Sequence, residues 1–302
     1  MKRKIVMHGK TSLTISLPIK WVQKYNLNRG DEVDVTEEGN RLIVSTETDM
    51  ETDARSVNLK SFNTMLHKAV SSLYCSGYDE LELVFNDTDQ QQKIHDTINK
   101  EYVGFEIVDE GSKHIRARKI SSIYHEEFGP ILKRLFHLLI SIGEDTLKAL
   151  EKKDYEVLKS ITIRDHNINK LCDFCVRALN KRDEGGFKKS KPLYYIVEQL
   201  ERIGDLHKEI SRLVVDSEID VSKETLEVYR LILDYFREYY ELFYKFRASS
   251  LEEFGRKRID IQARIENLID SVPRKEIRVA MYMNNLYFRI YGMIGSMMIL
   301  YL

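Results

Sequence analysis

"EQLERIGDLHKEI", from Glu198 to Ile210, is the stretch from which the fold of the carboxyl-terminal half is read. Ile196, Leu200, Ile203, Leu206 and Ile210 recur at three- and four-residue intervals, the spacing of one buried helix face. Glu201 and Asp205 stand four apart and share a helix face, as do Glu198 and Arg202. A carboxylate pair on a core-facing helix is costly unless a positive group offsets it. A hard or borderline metal cation, or cationic side chains, can do that.

The same period extends over everything after Ser121. It predicts six helices, at roughly 126–152, 154–182, 190–215, 222–248, 251–271 and 274–301. Leu132, Leu135, Leu138, Leu139 and Ile142 form the apolar stripe of the first. Breaks fall at Lys153-Asp154, Glu184-Gly185-Gly186 and Ser271-Val272-Pro273, so the helices group as three plus three, an internal repeat. From Arg55 to Ile120 strands and helices alternate instead. Strands are expected at 57–59, 81–85, 105–109 and 114–118, and helices at 62–76 and 89–102, with Asp87 or Thr88 as N-cap. Residues 49–53 are polar and read as a linker.

The first thirty residues hold Lys2, Arg3, Lys4, Lys10, Lys20, Lys24 and Arg29 before the first carboxylate, Asp31. Subtracting those seven from the chain's 47 leaves 40 basic against 48 acidic residues, a net of −8 after residue 30. A run of positive charge of this kind attracts polyanions. The turn Gly9-Lys10-Thr11-Ser12 supplies N–H groups, hydroxyls and a lysine suited to phosphate contact. Strands are expected at 3–7, 13–17, 32–36 and 41–45, with a short helix from Pro18 over 19–25 and a hairpin turn at Glu38-Gly39-Asn40. So short a β-α-β-β unit buries little apolar area alone.

Composition sets the remaining bounds. With 302 residues, 43% hydrophobic and 31% charged, the chain suits two or three globular domains rather than disorder. Four prolines and fourteen glycines are few, which favours long helices. Three cysteines do not make a disulfide framework and point to a reducing cytoplasm. Met1-Lys2-Arg3-Lys4 is not followed by the apolar run of a secretory leader, and Ile290–Leu302 falls short of the ~20 residues that span a bilayer. No membrane insertion is expected. Cys172 and Cys175 form a C-x-x-C inside a helix without a partner pair, which reads as two core thiols, since zinc needs four ligands. His166 and His207 lie near the acidic motifs. No phosphate loop, G-x-S-x-G or Ser-His-Asp spacing argues for an enzyme.

Two resemblances give these patterns a function. Gly9-Lys10, Ile15-Ser16-Leu17-Pro18, Trp21, Leu27-Asn28-Arg29-Gly30-Asp31-Glu32-Val33 and Leu42-Ile43-Val44 resemble the AbrB/MazE/SpoVT swapped-hairpin DNA-binding domain over residues 3–46. That family implies a barrel interleaved from two chains, hence a homodimer through the amino-terminal domain. It also implies DNA contact through basic residues, here Lys4, Lys10, Lys20, Lys24 and Arg29, with Ser12 of the turn. Thr11-Ser12-Leu13 lengthens the gap to Pro18 relative to the shortest members.

Glu201-Arg202-Ile203-Gly204-Asp205, between Leu200 and Ile210, resembles the signature of PhoU-domain proteins over about 125–302. The family implies two tandem three-helix bundles and metal-binding acidic motifs. Asp165 and Asn169 match the motif of the preceding helix, with Cys172 where a further carboxylate is expected and Asp173 beside it. In the second repeat Asp260 can be placed, but Arg264, Phe288 and Gly292 stand at ligand positions. The resemblance therefore implies at most one divalent or iron-type ion per chain, on Asp165, Asn169, Glu201 and Asp205.

The expected fold is α+β multidomain. It has a half β-barrel of the swapped-hairpin type (1–48), a small α/β domain (54–120) and an all-α PhoU-like six-helix (3+3) bundle (123–302). The expected function is a dimeric transcriptional regulator of phosphate uptake, an architecture resembling archaeal proteins that combine these domains. A different class remains open: a non-DNA-binding adaptor on a phosphate ABC transporter or its sensor kinase, its head serving only to dimerise.

Overall fold

The computed structural model describes residues 2–9, 12–38, 41–46, 53–120, 124–182 and 187–302. Lys10, the hairpin tip Gly39-Asn40, residues 49–52 of the linker and the break at 184–186 lie outside the described residues. The chain divides into two compact units, residues 1–53 and 54–302.

The first unit holds two antiparallel hairpins and a short helix. Strand β1 (Val6–His8) pairs with β2 (Ser12–Thr14), Met7 facing Leu13. These strands are shorter than the alternation predicts, and Ile15–Leu17 leave the ladder before Pro18, which has no N–H to give it. Pro18 opens α1 (Ile19–Lys24), its fixed φ of −65° suiting the N-cap and its carbonyl accepting from Trp21 and Val22 N–H. The following turn closes on Asp31, whose carboxylate accepts the Asn28 N–H at 2.7 Å, while Gly30 takes the φ of +104° that other residues resist. Strand β3 (Asp34–Glu38) then pairs with β4 (Arg41–Ser45).

The second unit begins with a mixed sheet. Its strands are β5 (Ala54–Asn58), β6 (Glu80–Val84), β7 (Phe105–Glu110) and β8 (His114–Lys119), ordered β5-β6-β8-β7. β5 and β6 are parallel and the other pairs antiparallel. Helices α2 (Leu66–Cys75) and α3 (Thr88–Glu101) pack on each other, sharing a core with Leu81, Leu83, Phe105 and Ile115. α2 starts four residues later than periodicity predicts, because Phe62 N–H turns back to the Leu59 carbonyl and Gln90 Nε2 holds the Phe62 carbonyl. Asp87 is the α3 N-cap, accepting the Gln90 N–H at 2.9 Å. In the strand register Arg116 faces Glu82 and Arg118 faces Glu80, and Arg116 lies 3.5 Å from Asp109.

Six helices follow: α4 (Tyr124–Lys152), α5 (Tyr155–Arg182), α6 (Phe187–Asp216), α7 (Lys223–Tyr244), α8 (Ala248–Ser271) and α9 (Ile277–Tyr301). All six were legible as periodic stretches. Leu132, Leu135, Leu139, Ile142, Ile196, Leu200, Ile203, Leu206 and Ile210 are buried, and Leu138 is partly so. α4 packs on α7 and α6 on α9, first helix of one three on first of the other and third on third. The α7 N-terminus is finished from a distance: buried Glu276 accepts from Ser222 N–H and Thr225 hydroxyl, both at 2.9 Å.

α5 also packs against α2 and α3, and this joins the α/β layer to the bundle. Arg177, fully buried on α5, donates at 2.6 Å to the Tyr74 and Tyr78 carbonyls at the end of α2. Its guanidinium lies 4.8 Å from the Tyr74 ring centre and 5.1 Å from that of Phe105. Asn180 Nδ2 adds a bond to the Cys75 carbonyl at 2.7 Å. Buried Asp79 is paired with Lys181 and, at 3.0 Å, with Lys119. Burial alone would raise its carboxyl; the two lysines outweigh that and hold it below its ordinary value.

Arg177→Met removes both cation-to-carbonyl bonds, leaving the Tyr74 carbonyl with the Gly77 N–H alone and the half-buried Tyr78 carbonyl without its cation. It is expected to cost about 3 kcal/mol. Urea unfolding of the full chain checks this, and residues 54–120 should lose structure before the six helices do.

Candidate functional site

The basic head presents its side chains outward. Lys4, Ser12, Lys20, Lys24 and Arg29 are all exposed. Lys20 and Lys24 share one face of α1, four residues apart, and Lys24 Nζ sits 5.3 Å from the Tyr25 ring centre. Arg29 follows on the turn that Asp31 closes, and Ser12 begins β2 opposite His8.

Among the described residues this unit has no interior. No residue of 1–53 whose burial is described is buried. Val6, Met7, Leu13 and Ile15 are 51–66% exposed, as are Ile19 at 65%, Val35 at 58% and Leu42 at 65%. A monomer this small rarely holds such an apolar surface open.

The acidic motifs lie where α5 and α6 run against each other. Gly204 permits the close approach: a Cβ there would stand 2.8 Å from Ile168 Cδ1. Asp165 of α5 is only 4% exposed and comes face to face with Asp205 of α6. Between them lies a group that the sequence motif does not announce. Lys208 Nζ donates to Asp165 Oδ2 at 2.6 Å and to Asp205 Oδ1 at 2.7 Å. Burial works against the ammonium, but the two carboxylate bonds outweigh it and raise Lys208 above its ordinary value. Lys208 is three residues after Asp205 in the same helix, and that spacing was the available signal.

Asn169 and Glu201 are not drawn into this pair. Asn169 Oδ1 and Asp165 Oδ1 are buried without a hydrogen-bond partner among the described residues. Glu201 belongs to the next stretch of the helix pair, with Glu198 and Asp173. Burial, then those two carboxylates, push it up to about 7. Burial likewise pushes Asp173 up to about 6, although the Cys75 thiol, 3.4 Å from its Oδ1, donates to it. Cys172 and Cys175 are buried free thiols and His166 is exposed. His207 is fully buried against the Tyr229 hydroxyl at 2.5 Å, and burial pushes it down to about 4.

The four residues expected to hold an ion thus do not fit a resident metal. Asp165 and Asp205 already face an ammonium, and no group of three His, Cys, Asp or Glu among the described residues is arranged to hold one. In the second repeat Arg264 Nε pairs with Asp260 Oδ2 at 2.9 Å, as its place in the sequence suggests.

Glu201 gives the site a pH signature. Its folded value lies above its ordinary 4.5, so its favourable contribution is full below 4.5 and is lost as pH rises through about 7. Glu201→Gln should melt with the parent near about pH 4.5 and roughly 3–6 °C above it near about pH 8. Calorimetric melting of both proteins across that range measures the difference, and His207, common to both, cancels.

Comparison with known proteins accords with this division. Residues 9–50 match the family model for the antidote-toxin recognition protein MazE, a bacterial antitoxin, and residues 132–214 match the PhoU domain. The phosphate transport system regulatory protein PhoU from Streptococcus pneumoniae superposes with a TM-score of 0.50 at 16% identity, over 57% of this chain and 92% of its own. A PhoU-like phosphate regulatory protein from Shewanella oneidensis MR-1 gives 0.35 at 14% identity, over 59% and 96%. No curated protein matches the chain. No helix among the described residues is long and apolar enough to cross a membrane. The chain joins a MazE/AbrB-like domain at its amino terminus to a PhoU domain in its helical half.

Proposed function

We propose that the chain is a dimeric DNA-binding regulator of phosphate uptake or homeostasis, whose head grips duplex DNA while its PhoU domain senses or docks. One observation carries the reading. The head combines seven positive charges before its first carboxylate with a set of exposed apolar side chains and no buried residue. A second copy completes the core and doubles the charge on one assembly. The net −8 after residue 30 falls entirely between Asp31 and Asp53, and residues 54–302 are neutral overall, so the basic stretch is the positive part of the head itself. The link to phosphate rests on the PhoU match and on the name of the Streptococcus protein. Both matched families regulate rather than catalyse, in keeping with a chain that is not an enzyme.

Two outcomes test this reading. Full-length protein should bind duplexes from phosphate-transporter promoters in preference to scrambled ones. The log–log salt slope should be about −5, as roughly six neutralised phosphates require. Charge reversal at Lys20, Lys24 and Arg29 together should flatten the slope and weaken binding at least tenfold without changing the melting of the helical unit. Fluorescence anisotropy across a salt series gives both quantities. Dimerisation with no DNA affinity at low salt would instead support an adaptor that docks on a phosphate ABC transporter or sensor kinase.

The head should also dimerise through its apolar face. Val35→Asp with Leu42→Asp is expected to give a monomer by sedimentation velocity and to remove DNA binding, with the far-ultraviolet helical signal retained.

A further inference from the structure

We propose that Lys208 is the resident cation of the Asp165–Asp205 pair, so that the helical unit fills its own acidic site and needs no metal ion there. The geometry is that of a bridging counter-ion. One ammonium reaches carboxylates on two different helices, α5 and α6, at 2.6 and 2.7 Å, the range of charge-assisted hydrogen bonds. Its side chain is 22% exposed and that of Asp165 5%, so the bond to Asp165 is shielded from water and salt on its acidic side. A divalent ion on the same oxygens would have to displace the ammonium and leave it partly buried beside a second cation, a costly arrangement.

The site also shows what it would take without Lys208. Asp165 Oδ1 and Asn169 Oδ1 are buried and unpartnered among the described residues. With Asp165 Oδ2 and Asp205 Oδ1 released, these are oxygen donors of the kind that a hard divalent ion accepts. The second repeat uses the same device in a weaker form. Arg264 pairs with Asp260 at 2.9 Å, but their side chains are 55% and 63% exposed, so that pair contributes little. The inference concerns what neutralises the helix pair and stands independently of whether the head binds DNA.

Full-length protein, stripped with chelator, is titrated with Mn(II), Zn(II) and anaerobic Fe(II) by calorimetry and thermal melting. The parent should show no site-specific uptake and a melting temperature unmoved by any of the three. Lys208→Met should melt roughly 5–10 °C lower and regain most of the loss with millimolar Mn(II). The double variant Lys208→Met/Asp165→Asn should not respond. Lys208→Arg, which keeps a cation, should fold and remain indifferent. Stoichiometric ion binding by the parent that Asp165→Asn abolishes would overturn the proposal. So would a folded Lys208→Met that ignores all three ions. If Lys208→Met is insoluble, the parent and the Lys208→Arg protein decide it: uptake by either at this site overturns it, and none in either supports it.

Discussion

The contact on which the larger unit depends is one buried guanidinium. Arg177 carries a full charge into a place without water, where an isolated ion is very costly. The end of α2 makes it tolerable. The last carbonyls of a helix lack intrahelical partners and carry the negative end of its dipole. Arg177 meets one of them, at Tyr74, which also accepts the Gly77 N–H, together with the Tyr78 carbonyl in the turn that follows, and rests against the rings of Tyr74 and Phe105. The cation needs acceptors, and the end of α2 with its following turn supplies them. That contact explains why residues 54–302 form one unit although their sequence reads as an α/β segment followed by a bundle.

The second unit handles its remaining charges in the same way. On the sheet, Arg116 lies between Glu80 and Asp109; at the joint, Asp79 is held by Lys181 and Lys119; between α5 and α6, Lys208 sits between two aspartates. Glu201 and Asp173 are the exception. They are crowded by other carboxylates and burial, and their protons are held into the neutral range. Proton uptake there does what a counter-cation does elsewhere, at a place within reach of Cys75 on the α/β layer.

How much of this the sequence disclosed depended on range. The six long helices were readable because a 3.6-residue apolar stripe is written locally, and Leu139 or Ile203 obeys it wherever the chain goes. The Asp87 cap was readable for the same reason. The short strands of the head were read too long, since Ile15 and Leu17 alternate correctly but pair with no strand among the described residues. Glu201 and Asp205 were read as the acidic pair, and Asp165 only as one of four implied ligands; it is Asp165 and Asp205 that meet, through a shared cation. Their partner was missed because Lys208 looks like any lysine on an exposed turn of α6 until α5 is placed against it. Arg177 was hidden more deeply, among apolar neighbours in a helix where a basic residue ordinarily marks the wet side.

That no described side chain of residues 1–53 is buried reaches beyond architecture. In the proposed dimer the head is completed by another copy, so its folded fraction follows mass action. Halving the amount of chain in a compartment then thins the population of complete heads more than in proportion, while the helical units persist undiminished. The reading of a promoter would thus be graded by how much protein has been made, a dose dependence written into the fold before any effector is bound.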